Sequence, residues 1–176
     1  MFLKGRSNME IGFSLGSNLY NRKRLLMQAK NLLLSAPRTS FTAQSPIYET
    51  TPVDVKPEYQ DMAYLNSIVL VESELPLDSW LSYIGKIEHM LGRERNIEDR
   101  NAPRPIDVDI IYAGNSIIDS GGLEVPHPRW AEREFVVRPL ADVRPDMVLP
   151  EASKSVVEIL ATLPPDKGLH VFDERW

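Results

Sequence analysis

The sequence predicts an α+β domain of ferredoxin-like βαββαβ order, an antiparallel sheet with its helices packed on one face. Three observations carry that expectation. Apolar residues alternate with a period of two in separate short runs, and two stretches between those runs repeat at helical spacing. In order, the runs read strand, helix, strand, strand, helix, strand.

The elements follow in order. Ile11, Phe13 and Leu15 share one face of a strand over 9–15. Gly16-Ser17-Asn18 breaks it, and Asn21 is placed to cap a helix over 22–36, whose stripe is Leu25, Leu26, Ala29, Leu32 and Leu33. Pro37 closes that helix. A second strand is expected over 41–48, interrupted or edged by Pro46, then a loop over 50–59 with Pro52 and Pro57. The β-branched run over 64–71 predicts a third strand. Asp78 is the expected cap of a second helix with Leu81, Ile84, Ile87 and Leu91 on its apolar face and Gly92 as its stop. Residues 93–105 show no apolar period and are expected as a loop. A fourth strand is expected over 106–112, then a Pro126-His127-Pro128 turn, a helix near 136–142 and a short one over 155–163.

A chain of 176 residues fits one domain, 1–176, with 43% hydrophobic and 26% charged residues and no cysteine. The missing thiols exclude disulfides, thiolate metal sites and a cysteine nucleophile. A net charge of −5 argues against a nucleic-acid coat, which needs a basic face to displace counterions. No run is apolar and long enough to span a membrane, and no secretory signal is legible at the start. The expectation is a soluble, cytoplasmic protein.

The chemistry concentrates in Arg93-Glu94-Arg95 and Arg104-Pro105-Ile106-Asp107-Val108-Asp109. Asp107 and Asp109 lie two apart on a strand and share a face, while Ile106, Val108 and Ile110 turn to the core. Asp is a poor strand former, and adjacent carboxylates repel unless a divalent cation lies between them. Two hard oxygen ligands suit Mg²⁺, which completes its shell with waters and phosphate oxygens. The alternative is a solvated strand face carrying two acids. Arg93, Arg95, Arg100 and Arg104 flank the pair, and guanidinium forks match phosphate oxygens bidentately. Taken singly, each also reads as solvated surface.

Neither a P-loop nor a G-x-G-x-x-G fingerprint occurs. His127, with Arg129 and Arg133 after it, reads either as a phosphate-bonding loop histidine or as a turn residue. Asn66 could pair with the donor–acceptor edge of a heterocycle, with Tyr64 and Phe135 as stacking surfaces, or could be an exposed residue at a strand start.

Taken together these residues resemble the 6-hydroxymethyl-7,8-dihydropterin pyrophosphokinase family. The matching pieces are Gly16-Ser17-Asn18-Leu19, Ser45-Pro46-Ile47-Tyr48-Glu49-Thr50-Thr51-Pro52-Val53, Tyr64-Leu65-Asn66 and Gly92-Arg93-Glu94-Arg95. After them come Pro103-Arg104-Pro105-Ile106-Asp107-Val108-Asp109-Ile110, Val125-Pro126-His127-Pro128 and Arg133-Glu134-Phe135-Val136. The resemblance implies a monomeric, Mg²⁺-dependent enzyme of folate biosynthesis that moves the diphosphate of ATP to the pterin hydroxymethyl group and releases AMP. It implies two Mg²⁺ ions on Asp107 and Asp109, and catalytic Arg93 and Arg104 on the phosphates. It places Glu88, Arg95, Ile110, His127 and Arg133 around ATP, and Thr50, Val53, Tyr64, Asn66 and Phe135 around the pterin. Asn101-Ala102 stands where the family usually carries Trp-Gly, which puts an aromatic lid in question. A binding module without turnover and an RNA-binding domain are the competing readings.

Overall fold

A computed structural model describes residues 8–94, 98–99 and 102–176. Arg95, Arg100 and Asn101, singled out above, lie outside the described residues.

The sheet is built from β1 (Met9–Ser17), β2 (Thr39–Gln44), β3 (Ile47–Thr50), β4 (Tyr64–Ser73), β5 (Asp107–Ala113) and β8 (His170–Asp173). Its order is β5-β1-β4-β3-β8, with β2 also on β4, and every pairing is antiparallel. The pairing order of the strands expected from the sequence is fourth, first, third, second, which interleaved split βαβ units produce. Strands β6 (Ile118–Ser120) and β7 (Leu123–Val125) form a separate hairpin.

Helices α1 (Arg22–Leu34) and α2 (Leu77–Met90) cover one face, as expected. Leu26, Ala29, Leu33, Trp80, Ile84 and Ile87 pack there against Ile11, Phe13, Leu15, Val69, Val71 and Val108. The other face is also covered. Helices α3 (Glu134–Val143) and α4 (Val156–Leu160) bury Ile68, Leu70, Ile111 and Tyr112 with Val136, Val137, Leu140 and Val156. This explains the near-continuous apolar run of β4, since a strand buried on both sides loses the alternation of a half-exposed one.

Several boundaries differ from the sequence reading, each for a local reason. The strand expected over 41–48 is two strands, because Pro46 has no N–H for the ladder and Ser45 turns its Oγ to accept from the Ile68 N–H at 2.9 Å. Asn21 caps α1 as expected, accepting from the Arg24 N–H at 3.1 Å. Asp78 does not cap α2: Pro76 holds that position, and Asp78 lies in the first turn, where its charge suits the helix dipole. On α2 Trp80 is fully buried, as is Ile87, while Leu81 is exposed. Gly92 ends the segment with φ +86°, a left-handed conformation that a Cβ would oppose.

Gly12 has a different reason to be glycine. A Cβ there would lie 2.3 Å from Cε1 of Tyr112. The ring is held in place, because its hydroxyl donates to Glu10 at 2.6 Å and Glu10 is paired with Arg144. Gly12→Ala is therefore expected to cost about 1–3 kcal/mol as overpacking. The measurement is a urea midpoint, which falls while the slope is unchanged.

Candidate functional site

At one end of the α3-covered face, polar side chains replace the apolar ones. Alternation on β1 puts Ser14 and Gly16 on that face, opposite Phe13 and Leu15. It does the same for Tyr64 and Asn66 on β4 and for Asp107 and Asp109 on β5. Together with Thr50, Val53, Arg104, Arg129, Arg133 and Phe135 these residues line a cleft of about 130 Å³.

Register brings the pieces together. Gly16 is opposite Asn66 on one side and Asp107 on the other, so the amide and the first carboxylate flank one glycine. A Cβ on Gly16 would come within 3.1 Å of Asn66 Oδ1, so glycine leaves that oxygen its room. Asn66 is buried, and its Nδ2 donates to Thr50 Oγ1 at 2.7 Å. Buried amides need such partners. The pairing leaves an amide oxygen and a hydroxyl proton to address a ligand edge.

The charged half of the site is a chain of alternating sign. Arg93 donates through Nη1 to Glu88 and, at 2.5 Å, to Oδ1 of Asp107. Arg104 reaches Oδ2 of the same carboxylate at 3.1 Å. Glu88, buried at the end of α2, also accepts from the Val108 N–H at 3.0 Å. It ties helix, loop and strand together. Burial pushes its carboxyl up, against the pull of Arg93 and of that N–H. The Arg104 backbone is held in turn, its N–H donating to Asn18 Oδ1 at 2.8 Å and its carbonyl accepting from the Asn18 N–H at 3.3 Å. This contact gives a physical role to the Gly16-Ser17-Asn18 break.

Asp109 differs from its neighbour. Burial, then the charges of Asp107 and Glu88, push its carboxyl up to about 7, against the weaker pull of Arg133 and Arg93. Burial beside two other acids thus disfavours the charged form of Asp109 even with arginines in the same cleft.

Two of the residues expected at the site, Ile110 and His127, lie off the cleft. The Ile110 side chain is in the core under α1 and α2, which leaves only its backbone available to a ligand. Val108 points its N–H off the open edge of β5 to Glu88, and alternation turns the Ile110 backbone the same way. His127 lies beside the cleft, in a groove of about 360 Å³ with Trp130, Pro150 and Lys154. Its N–H donates to the Ile111 carbonyl at 2.9 Å, and its Nδ1 accepts from the Arg129 N–H at 3.1 Å. Burial, then Arg133, lowers its pKa, so it is a neutral imidazole with Nε2 carrying the proton. Arg133 spreads over the Phe135 ring at 5.7 Å.

The sequence reading did not name Ser14, Asp54 or Val55 as cleft residues. For Ser14 a signal exists: small residues at positions 12, 14 and 16 alternate with Ile11, Phe13 and Leu15, as on a face that something approaches closely.

Comparison with known proteins agrees with this geometry. The model of the 7,8-dihydro-6-hydroxymethylpterin-pyrophosphokinase (HPPK) family matches residues 12–145. The 2-amino-4-hydroxy-6-hydroxymethyldihydropteridine pyrophosphokinase of Bacillus subtilis is 40% identical over 74% of this chain and 75% of its own length. The protein of the same name from Pseudomonas aeruginosa is 34% identical over 86% and 90%. Folic acid synthesis protein fol1 of Pneumocystis carinii is 36% identical, and this chain spans 19% of its length. Among solved structures, wild-type Plasmodium falciparum HPPK-DHPS with pteroate superimposes with a TM-score of 0.70 at 14% identity, over 91% of this chain and 43% of that one. That likeness supports the α+β fold. The family match covers the strand of paired carboxylates, the Asn66–Thr50 pair and both arginines that meet Asp107, and on it the chain belongs to the 7,8-dihydro-6-hydroxymethylpterin-pyrophosphokinase family.

Proposed function

We propose that the chain transfers the β,γ-diphosphate of ATP to the hydroxymethyl oxygen of 6-hydroxymethyl-7,8-dihydropterin and releases AMP, as a step of folate biosynthesis. The observation that carries the reading is the Asp107–Asp109 pair, set on one strand between two arginines and across from the Asn66–Thr50 pair.

The substrate hydroxyl is the nucleophile, so the chain supplies position and charge rather than a covalent partner. Asn66 Oδ1 and the Thr50 hydroxyl offer an acceptor beside a donor, which matches the amide-like edge of a pterin ring. Tyr64, Phe135 and Val53 give that ring flat and apolar contact. Arg93, Arg104 and Arg133 offer guanidinium donors to the triphosphate. His127 can donate from Nε2 to a phosphate oxygen. Arg95 and the Ile110 backbone complete the ATP side of the reading.

Among the described residues, no three His, Cys, Asp or Glu side chains converge as a metal cage. Two carboxylates beside a phosphate site nonetheless fit Mg²⁺, which prefers few protein ligands. Burial and the neighbouring acids disfavour a charged Asp109, and a dication between the two carboxylates would offset that cost. Asp107 and Asp109 would hold two such ions, which supply charge neutralisation of the triphosphate when bound. We further read 1–176 as one domain, acting as a cytoplasmic monomer on small molecules without nucleic-acid or membrane partners. No helix among the described residues is long and apolar enough to cross a membrane.

The test follows AMP from ATP and the dihydropterin with Mg²⁺, with EDTA, and with Mg²⁺ restored. AMP in step with pterin diphosphate, lost with EDTA and recovered with Mg²⁺, is the expected result. Calorimetric binding of ATP or pterin by folded protein without AMP would instead identify a binding module.

A further inference from the structure

The pterin side of the cleft has two walls, and one residue outside both is bonded to each. The first wall is the end of β3 and the loop after it, with Thr50, Thr51, Val53 and Asp54 on the cleft. The second is the start of α3, where Arg133 and Phe135 flank Glu134. Asp166 lies in the turn between α4 and β8. Its Oδ1 accepts from the Thr51 hydroxyl at 3.0 Å and its Oδ2 from the Thr51 N–H at 3.3 Å. Its own N–H donates to the Glu134 carboxylate. The turn is braced on itself: the Gly168 N–H donates to Asp166 Oδ1 at 2.8 Å, and the Leu169 N–H to the Asp166 carbonyl at 3.1 Å.

Packing fixes the same contact from the other side. A Cβ on Gly168 would lie 2.4 Å from Cγ2 of Thr51, so the turn sits flush against the loop. Beyond it β8 runs along β3, with Tyr48 opposite Val171 and Glu49 opposite His170. Thr51 is exposed and Asp166 only partly covered, so the contact adds little to the core. Its geometric effect is larger. A carboxylate gripping both the N–H and the hydroxyl of one residue fixes the backbone at that residue, and Thr50 is its immediate neighbour.

On the reading above, we propose that Asp166 is a positioning residue for the dihydropterin: through Thr51 and Glu134 it sets the spacing of the two walls that receive the bicyclic ring. It touches neither substrate. Its effect is on how well the Thr50 hydroxyl and the Phe135 ring are placed before the ring arrives, which is preorganisation. On the ATP side, Arg93 and Arg104 hang on Glu88, Asp107 and Asn18, none of which bonds Asp166, and Arg133 meets it only through the backbone N–H to Glu134, which a side-chain substitution leaves in place.

Steady-state kinetics of Asp166→Ala, Thr51→Val and the double variant test this. Asp166→Ala should raise KM for the dihydropterin about tenfold, the order expected for loss of a charge-assisted hydrogen-bonded clamp, with KM for ATP unchanged. Asp166→Asn, which keeps one acceptor oxygen, should recover part of the loss. The double variant should be no worse than Asp166→Ala alone, because both substitutions break one contact. Equal rises in both KM values, or additive losses, would overturn the proposal. Amide hydrogen exchange of 50–55 and 134–136 in the ligand-free protein gives a readout that does not depend on turnover. Asp166→Ala removes the carboxylate but keeps the backbone N–H to Glu134, so faster exchange over 50–55 with 134–136 unchanged supports the positioning role, and unchanged exchange over 50–55 or uniformly faster exchange overturns it. If the wild-type protein released no AMP, the reaction assignment would fall, and the exchange data would still decide the role of Asp166.

Discussion

Asp109→Asn is expected to remove turnover by at least about a thousandfold while making the ligand-free protein more stable at neutral pH. The two effects share one cause. In the fold its carboxyl is raised from 3.8 to about 7 by burial and by the charges of Asp107 and Glu88. The folded state therefore binds more protons than the unfolded state between about pH 4 and pH 7, and its stability falls as pH rises through that window. The contribution of the protonated acid is complete below the unfolded value and lost above the folded one. Asn cannot ionise, so the variant should exceed the wild type by up to about 4 kcal/mol near pH 8 and match it near pH 4. Thermal melts across this range check the sign. A variant less stable at pH 8 than the wild type would refute the electrostatic account, and retained turnover would refute the functional one. Mg²⁺ with ATP should raise the melting temperature of the wild type and leave Asp109→Asn nearly unmoved.

Trp80→Ala should be the most damaging substitution in the core, at about 3–5 kcal/mol. Trp80 is fully buried on α2. Its ring meets Phe13 of β1 at 4.9 Å and Tyr83 edge-on at 5.6 Å, and its Nε1 donates to Ser73 Oγ at 3.2 Å. Ser73 also bonds Thr39 of β2. One truncation thus opens a cavity between helix and sheet and frees a hydroxyl that two elements share. Trp80→Phe keeps most of the volume and loses the donor, and should cost about 1–2 kcal/mol. A urea titration distinguishes the two losses. Equal midpoints for both variants would mean that packing is not what Trp80 contributes.

Trp80 also marks where sequence reading works and where it stops. Periodicity located α2, but a stripe drawn through aliphatic residues selected Leu81 and passed over the larger ring one position away. Strands β1, β4 and β5 were legible because alternation or β-branching ran unbroken along each. The Asp107–Asp109 pair was legible for the same reason, since period two fixes a shared face without knowledge of the partners. The arginines beside the pair were legible as neighbours in sequence, but the bonds of Arg93 and Arg104 to Asp107 and of Glu88 to Arg93 and β5 were not, because they depend on how α2 ends beside β5. The Asn66–Thr50 bond is a cross-strand contact set by register, and no local pattern encodes it. Strand β8 and the hairpin of β6 and β7 were missed because each is three or four residues long, too short for a period to show.

Pairing of β8 with β3 has a consequence for the order in which the protein assembles. The Trp176 indole donates to the Ser45 carbonyl across 131 residues of sequence, among the longest-range contacts of the fold. Closing so long a loop is entropically late, and during synthesis its second strand emerges well after its first. The central strands and α1 can collapse early on nearer contacts, whereas the edge that presents Thr50 is complete only when residues 170–176 have arrived. A nascent or clipped chain lacking them would hold a formed carboxylate strand beside an unfinished cleft wall, so completion of the cleft becomes a late event in the maturation of the molecule.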